Sequence, residues 1–129
     1  MQLKVLAQYN QAYGYLDVHA GFAGPEFDGQ VVKAIQRRNK KEDLTVGLRA
    51  DRRPVYILIR NAQKMGRVFH EAAVCIGAGK EPGRKVTDAM AKRCLALMAE
   101  MAMAYQKKSL QEVLDPKVVE PAFEFSCAS

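Results

Sequence analysis

RVFHEAAVCIGAGKEPGRKVTDAMAKR, residues 67–93, is the stretch whose reading decides the fold. Residues 67–77 alternate, with Val68, His70, Ala72, Val74 and Ile76 set against Phe69, Glu71, Ala73 and Cys75. Alternation with β-branched side chains is the pattern of a strand, and a strand is expected over 67–77. Gly77, Gly79, Pro82 and Gly83 then break the chain. From about Thr87 to Lys107, Met90, Cys94, Leu97, Met101 and Ala104 recur at helical spacing, which predicts a long helix capped by Thr87. Ala99, Ala102 and Met103, on its other sides, would form a dimer face if exposed together. Lys80, Arg84 and Lys85 make the entry to this helix basic. The glycine spacing there matches neither a Walker loop nor a dinucleotide fingerprint.

Working outward, LTVGLR (44–49) and VYILIRN (55–61) also alternate, and the turns ADRR and AQKMG join the three strands into an antiparallel meander. Upstream, Asp28 suits the N-cap of a helix over about 29–41, with Val31 and Ile35 inward and Lys33, Arg37, Arg38, Lys40 and Lys41 outward. Residues 1–24 suggest a short hairpin containing Leu3, Val5 and the Tyr13–Tyr15 pair. SLQEVLDP (109–116) reads as a last helical turn, and VVEPAFEFSCAS as a tail that adds a short strand or lies over the core. The expected fold is α+β. It is a two-layer sandwich with a three-stranded antiparallel sheet, helices on one face and an α-β-β-β-α core. Residues 1–28 would be an N-terminal extension, 29–108 the domain, and 109–129 a C-terminal tail packed on it.

The chain has 129 residues, 49% of them hydrophobic, enough for one domain with a real core and too apolar for disorder. It has no apolar run of bilayer length and no charged, apolar leader, so neither a membrane partner nor secretion is expected. Cys75, Cys94 and Cys127 show no metal or disulfide spacing, which favours a reducing intracellular compartment, cytoplasm or nucleus. Net charge is +6, unevenly spread: residues 31–93 hold sixteen Lys/Arg and six Asp/Glu, or +10, and the two ends together −4. A basic block inside a folded chain points to an anionic partner.

Catalysis is not expected. His19 and Asp17 have no nucleophile beside them, and Asp17, His19, Glu26 and Asp28 fit no metal spacing. His70 reads as a packed or edge histidine, and Cys75 and Cys94 as small core residues. No catalytic residue, cofactor or metal is assigned.

Three local patterns then combine. Pro54-Val55-Tyr56 enters a strand, Phe69 precedes the small residues Ala73 and Cys75, and Asp88-Ala89-Met90-Ala91-Lys92-Arg93-Cys94-Leu95 opens the long helix. In these, residues 54–98 resemble the double-stranded RNA-binding domain family. The resemblance implies a non-catalytic module that binds structured RNA. Lys80, Arg84, Lys85 and Lys92 would bridge phosphates across the major groove, and Gln36, Arg37 and Lys40 on the first helix would read a minor groove. Arg52 and Arg53, in the first inter-strand turn, would add a contact. The turn Ala62–Gly66 lacks the Pro and His that the family places between its first strands. That departure favours the alternative, a protein–protein or dimerisation module of the same shape.

Overall fold

The computed structural model describes residues 1–106 and 119–128. Its class is α+β, but the sheet has six strands rather than three. The strands are β1 (Gln2–Asn10), β2 (Tyr15–Ala23), β3 (Lys33–Arg38), β4 (Asp43–Leu48), β5 (Pro54–Ile59) and β6 (Glu120–Ala128). The helices α1 (Arg67–Gly77) and α2 (Arg84–Gln106) follow β5 and a single 3₁₀ turn, Ala62–Met65. The order across the sheet is β3-β4-β5-β2-β1-β6, antiparallel except for β1 and β6, which run parallel.

The first hairpin sits in the middle of this sheet, and its sequence explains why. Leu3, Val5 and Ala7 alternate on β1, and Leu16, Val18, Ala20 and Phe22 on β2, all buried against the helices. The turn between them is closed by Asn10, whose Oδ1 accepts the N–H groups of Ala12 (2.9 Å) and Tyr13 (3.3 Å), and by Gly14 at φ 69°. The expected N-terminal extension is therefore central to the fold. Both helices lie on the same face, α1 over β1, β2 and β6, and α2 over β4 and β5. Leu97, Met98 and Met90 on α2 are fully buried, and truncating a core leucine of this kind costs about 2–5 kcal/mol. Ala99 and Ala102 are buried too, so they offer no dimer face.

Two expected elements are corrected. Residues 67–77 form a helix, not a strand. Phe69, Ala72, Ala73 and Ile76 are buried at i, i+3, i+4 and i+7, and Val74 is 60% exposed. The alternation is a coincidence of composition, overridden by an Ala-rich centre and an Arg67–Glu71 pair at i,i+4 (3.1 Å). The glycines after it are its C-cap. Gly79 adopts φ 75°, its N–H bonds Ile76 C=O (3.0 Å), and Lys80 N–H reaches back to Cys75 C=O (2.9 Å). This is a Schellman motif, which accounts for GAGK without any phosphate.

Residues 33–38 form an edge strand within the range expected to be a helix. Asn39 closes the β3–β4 hairpin, its Oδ1 accepting the N–H groups of Lys41 (2.9 Å) and Glu42 (3.0 Å). Asp28 caps no helix. The α-β-β-β-α order implied by the resemblance is therefore not the order found. The strands expected at 44–49 and 55–61, and the long helix, are present as β4, β5 and α2. Thr87 lies inside that helix, its Oγ1 donating to Arg84 C=O (3.1 Å). The tail contributes β6, whose Phe123 and Phe125 stack (5.9 Å) and pack on the core. The turn expected at 109–116 lies outside the described residues.

Candidate nucleic-acid interface

Among the described residues nothing covers the sheet face away from the helices, and strand register arranges its side chains in rows. The middle row runs Gln36, Thr45, Leu58, His19, Leu6 and Glu124 from β3 to β6. One row towards the β3–β4 turn, the neighbours are Arg38, Asp43, Arg60 and Asp17. Opposite charges therefore alternate across four strands, an arrangement that stabilises the ladder. Arg38 Nε lies 3.7 Å from Asp43 Oδ2, and Arg60 N–H donates to Asp43 C=O (3.0 Å).

This row floors an open cleft of about 350 Å³ at the end of the sheet. Arg38, Lys40, Lys41, Arg60 and Lys64 line it, with Asp17, Glu42 and Asp43, giving +2 by five cations against three acids. Glu42 is already engaged by Arg37 (2.6 Å), outside the cleft. Among the described residues, no ion pair holds Lys40, Lys41, Arg60 or Lys64. These cations come from three segments: the β3–β4 turn, the end of β5 and the 3₁₀ turn.

The 3₁₀ turn is fixed in place by Gln63. Its Oε1 accepts Leu16 N–H (2.8 Å) and its Nε2 donates to Gly14 C=O, tying the turn to the first hairpin. Next to it, Asn61 is held in the left-handed region (φ 53°, ψ 51°), with its N–H donating to Asp17 Oδ1 (3.0 Å). Asn61 lines the cleft. Its Oδ1 is the one buried side-chain polar atom without a partner among the described residues. A buried acceptor left unpaired costs about 1–3 kcal/mol.

Tyr15 forms one wall of the cleft and is 46% exposed, while Tyr13 beside it is 73% exposed. Their ring centroids are 6.1 Å apart with planes tilted by 32°. Lower on the same sheet face, His19 meets Tyr56 edge-on at 5.7 Å, beside a shallow groove that includes Lys4, Leu6 and Val31.

The nine residues expected to contact RNA are not gathered into one site. Lys40 is in the cleft, and Gln36 faces the same side of the sheet, with its Nε2 3.4 Å from Thr45 Oγ1. Arg37 points to the helix side, where Glu42 (2.6 Å) and Glu100 (2.9 Å) hold it. Burial works against its charge, but hydrogen bonds to Glu100 and Glu42 outweigh this and hold its pKa above the ordinary arginine value.

Arg52 and Arg53 sit in the β4–β5 turn, at the opposite end of the strands. Asp51 in that turn accepts from Arg49 and from Arg53 N–H (3.1 Å), and the Arg49 bond above all keeps its carboxyl below the usual range. Lys80 follows α1, and Arg84, Lys85 and Lys92 line exposed turns at the start of α2, where Arg84 lies 3.8 Å from Asp88. Sequence pattern does not single out Arg38, Lys41, Arg60 or Lys64 for RNA contact. They lie in separate segments, and only strand register brings them together.

Among the described residues, no group of His, Cys, Asp and Glu could hold a metal ion, and no helix is long and apolar enough to cross a membrane. Cys75, Cys94 and Cys127 are free thiols. Comparison with protein-family models, curated proteins and solved structures finds no match to this chain.

Proposed function

We propose that this chain is a non-catalytic module that binds structured RNA, with the phosphate backbone seated in the cleft at the β3–β4 end of the sheet. The observation that carries this reading is that Lys40, Lys41, Arg60 and Lys64 line one cleft with no ion pair to any of them among the described residues. Rigid cations on a folded surface are what phosphate recognition requires, and the basic balance of residues 31–93 supplies the long-range field. The interface therefore moves from the start of α2, where the family resemblance puts it, to the open end of the sheet.

The test is an anisotropy titration of a labelled RNA hairpin at several salt concentrations. Reversing Lys40, Lys41 and Lys64 to Glu should abolish most of the affinity and flatten its salt dependence, by about 0.9 in log–log slope for each phosphate no longer neutralised. Retained affinity in that variant, with loss on reversing Lys80, Arg84 and Lys85, would return the site to α2. No binding at low salt would reject the function.

A second reading rests on the middle of the open face, where Leu6 is 41% exposed and shares a shallow groove with His19 and half-buried Tyr56. Two copies could associate there, and light scattering of wild-type protein against Leu6→Asp discriminates. A dimer that Leu6→Asp dissolves supports it, and a monomer in both rejects it.

A further inference from the structure

Duplex phosphates need no aromatic surface, so RNA binding at the cleft leaves the two exposed tyrosines unused. Building on that RNA reading, we infer that Tyr13 and Tyr15 form a stacking platform for unpaired bases, so the cleft takes a single-stranded segment next to a duplex rather than the duplex alone.

Three observations carry this. The two rings are exposed, 73% for Tyr13 and 46% for Tyr15, and face each other at 6.1 Å. Exposed tyrosines on a β-turn contribute little to a core, and Tyr15 stands on the outer side of β2, next to buried Leu16. Tyr15 is also part of the wall that holds Lys40, Arg60 and Lys64, so a base on its ring has its own phosphate within the basic cleft. Finally, the platform is anchored: Gln63 ties Gly14 and Leu16, on either side of Tyr15, to the 3₁₀ turn that bears Lys64. Aromatic faces beside a cationic groove are the recurring chemistry of single-strand recognition, because every base has a π-face and every nucleotide a phosphate. A continuous duplex keeps its bases stacked on one another and cannot use the rings.

The experiment compares three ligands by anisotropy at one salt concentration: a blunt RNA duplex, the same duplex with a short unpaired 3′ extension, and the extension alone. The extended duplex is expected to bind about 5- to 150-fold tighter than the blunt one, the range that one base–aromatic stack supplies. Tyr13→Ala, in the hairpin turn and outside the cleft lining, should shrink that difference and leave the blunt duplex unchanged, whereas Tyr15→Phe, which keeps the ring, should preserve it.

A second readout needs no variant. The chain has no tryptophan, so its emission comes from tyrosine, and it should fall when the extension binds but not when the blunt duplex does. Equal affinity for blunt and extended duplexes would overturn the platform while leaving RNA binding in place. Failure of all three ligands to bind would overturn the RNA reading with it.

Discussion

Tyr56 lays its ring over the backbone of Gly47 on the neighbouring strand, at a point where a β-carbon would fall inside the ring. Glycine lets the ring lie flat across β4, and the ring in turn covers a residue that has no side chain to pack. The same ring also meets His19 edge-on. The sheet face away from the helices is thus ordered by one aromatic that needs a glycine as its seat.

Gly47→Ala should therefore push the Tyr56 ring off its seat and cost about 1–3 kcal/mol, as overpacking does. Urea unfolding measures it. Tyr56→Ala alone should also destabilise, but the double variant should be less unstable than the sum of the two, because the clash vanishes with the ring. Additive losses would show that the two residues do not act on each other.

Arg37 and Lys40 lie three residues apart and should behave oppositely. Arg37 is committed to Glu42 and Glu100, so Arg37→Ala should lower stability by no more than about 1 kcal/mol, in a salt-sensitive way, and leave RNA affinity nearly unchanged. Lys40→Ala should leave stability unchanged and weaken RNA binding uniformly across sequences, with a salt slope lower by about 1. A loss of affinity on removing Arg37 equal to that for Lys40 would mean that its ion pairs open to let it bind.

Burial in the core pushes the Cys94 thiol from 9.0 up to about 12. The folded state then holds this proton more tightly than the unfolded chain does, so the contribution is intact below the unfolded value and is lost as pH rises towards 12. Stability of the wild type should fall more steeply between pH 9 and 12 than that of Cys94→Ala. In native protein at neutral pH, a thiol reagent should label exposed Cys127 first, then half-buried Cys75, and Cys94 only on unfolding. Rapid labelling of Cys94 in the folded state would contradict its burial.

The Schellman cap gives a local prediction. Gly79 holds φ 75° with open space where a β-carbon would stand, so Gly79→Ala meets only backbone strain, about 1–2 kcal/mol. Gly79→Asn should be milder, since Asn tolerates the left-handed region better. Thermal unfolding of the two variants gives the ranking, and a neutral Gly79→Ala would remove the cap assignment.

Much of this architecture is legible along the chain, and the misreadings have identifiable physics. β4, β5 and α2 follow from their periodicity. The first hairpin is equally plain, with seven alternating positions buried from Leu3 to Phe22 and an Asn/Gly turn, yet sequence position alone suggests an appendage. β3 escapes pattern reading because it is an edge strand. Only Ile35 and Arg37 are half-buried in it, while Val31 and Val32, which resemble the inner side of a helix, precede the strand and are exposed. α1 is ambiguous because Val68, Val74 and Ile76 are β-formers. Its helical spacing is visible only if Val74 is allowed to face solvent. The cleft is the least legible part. Its cations are split between the β3–β4 turn and the chain beyond β5, and no local spacing foretells that register will align Arg38 with Arg60 across β4.

The parallel pairing of β1 with β6 sets Gln2 beside Glu120, with Glu120 N–H donating to Met1 C=O (2.8 Å). On a ribosome, β1 emerges before β6, so its outer edge is not closed until β6 follows. Until then, β1 offers a free row of amide and carbonyl groups to any other extended chain. A pairing of such high sequence separation also makes this a slow-closing topology. The order of synthesis and the order of closure are therefore opposed, and the nascent chain has its greatest exposure to mispairing just before β6 arrives.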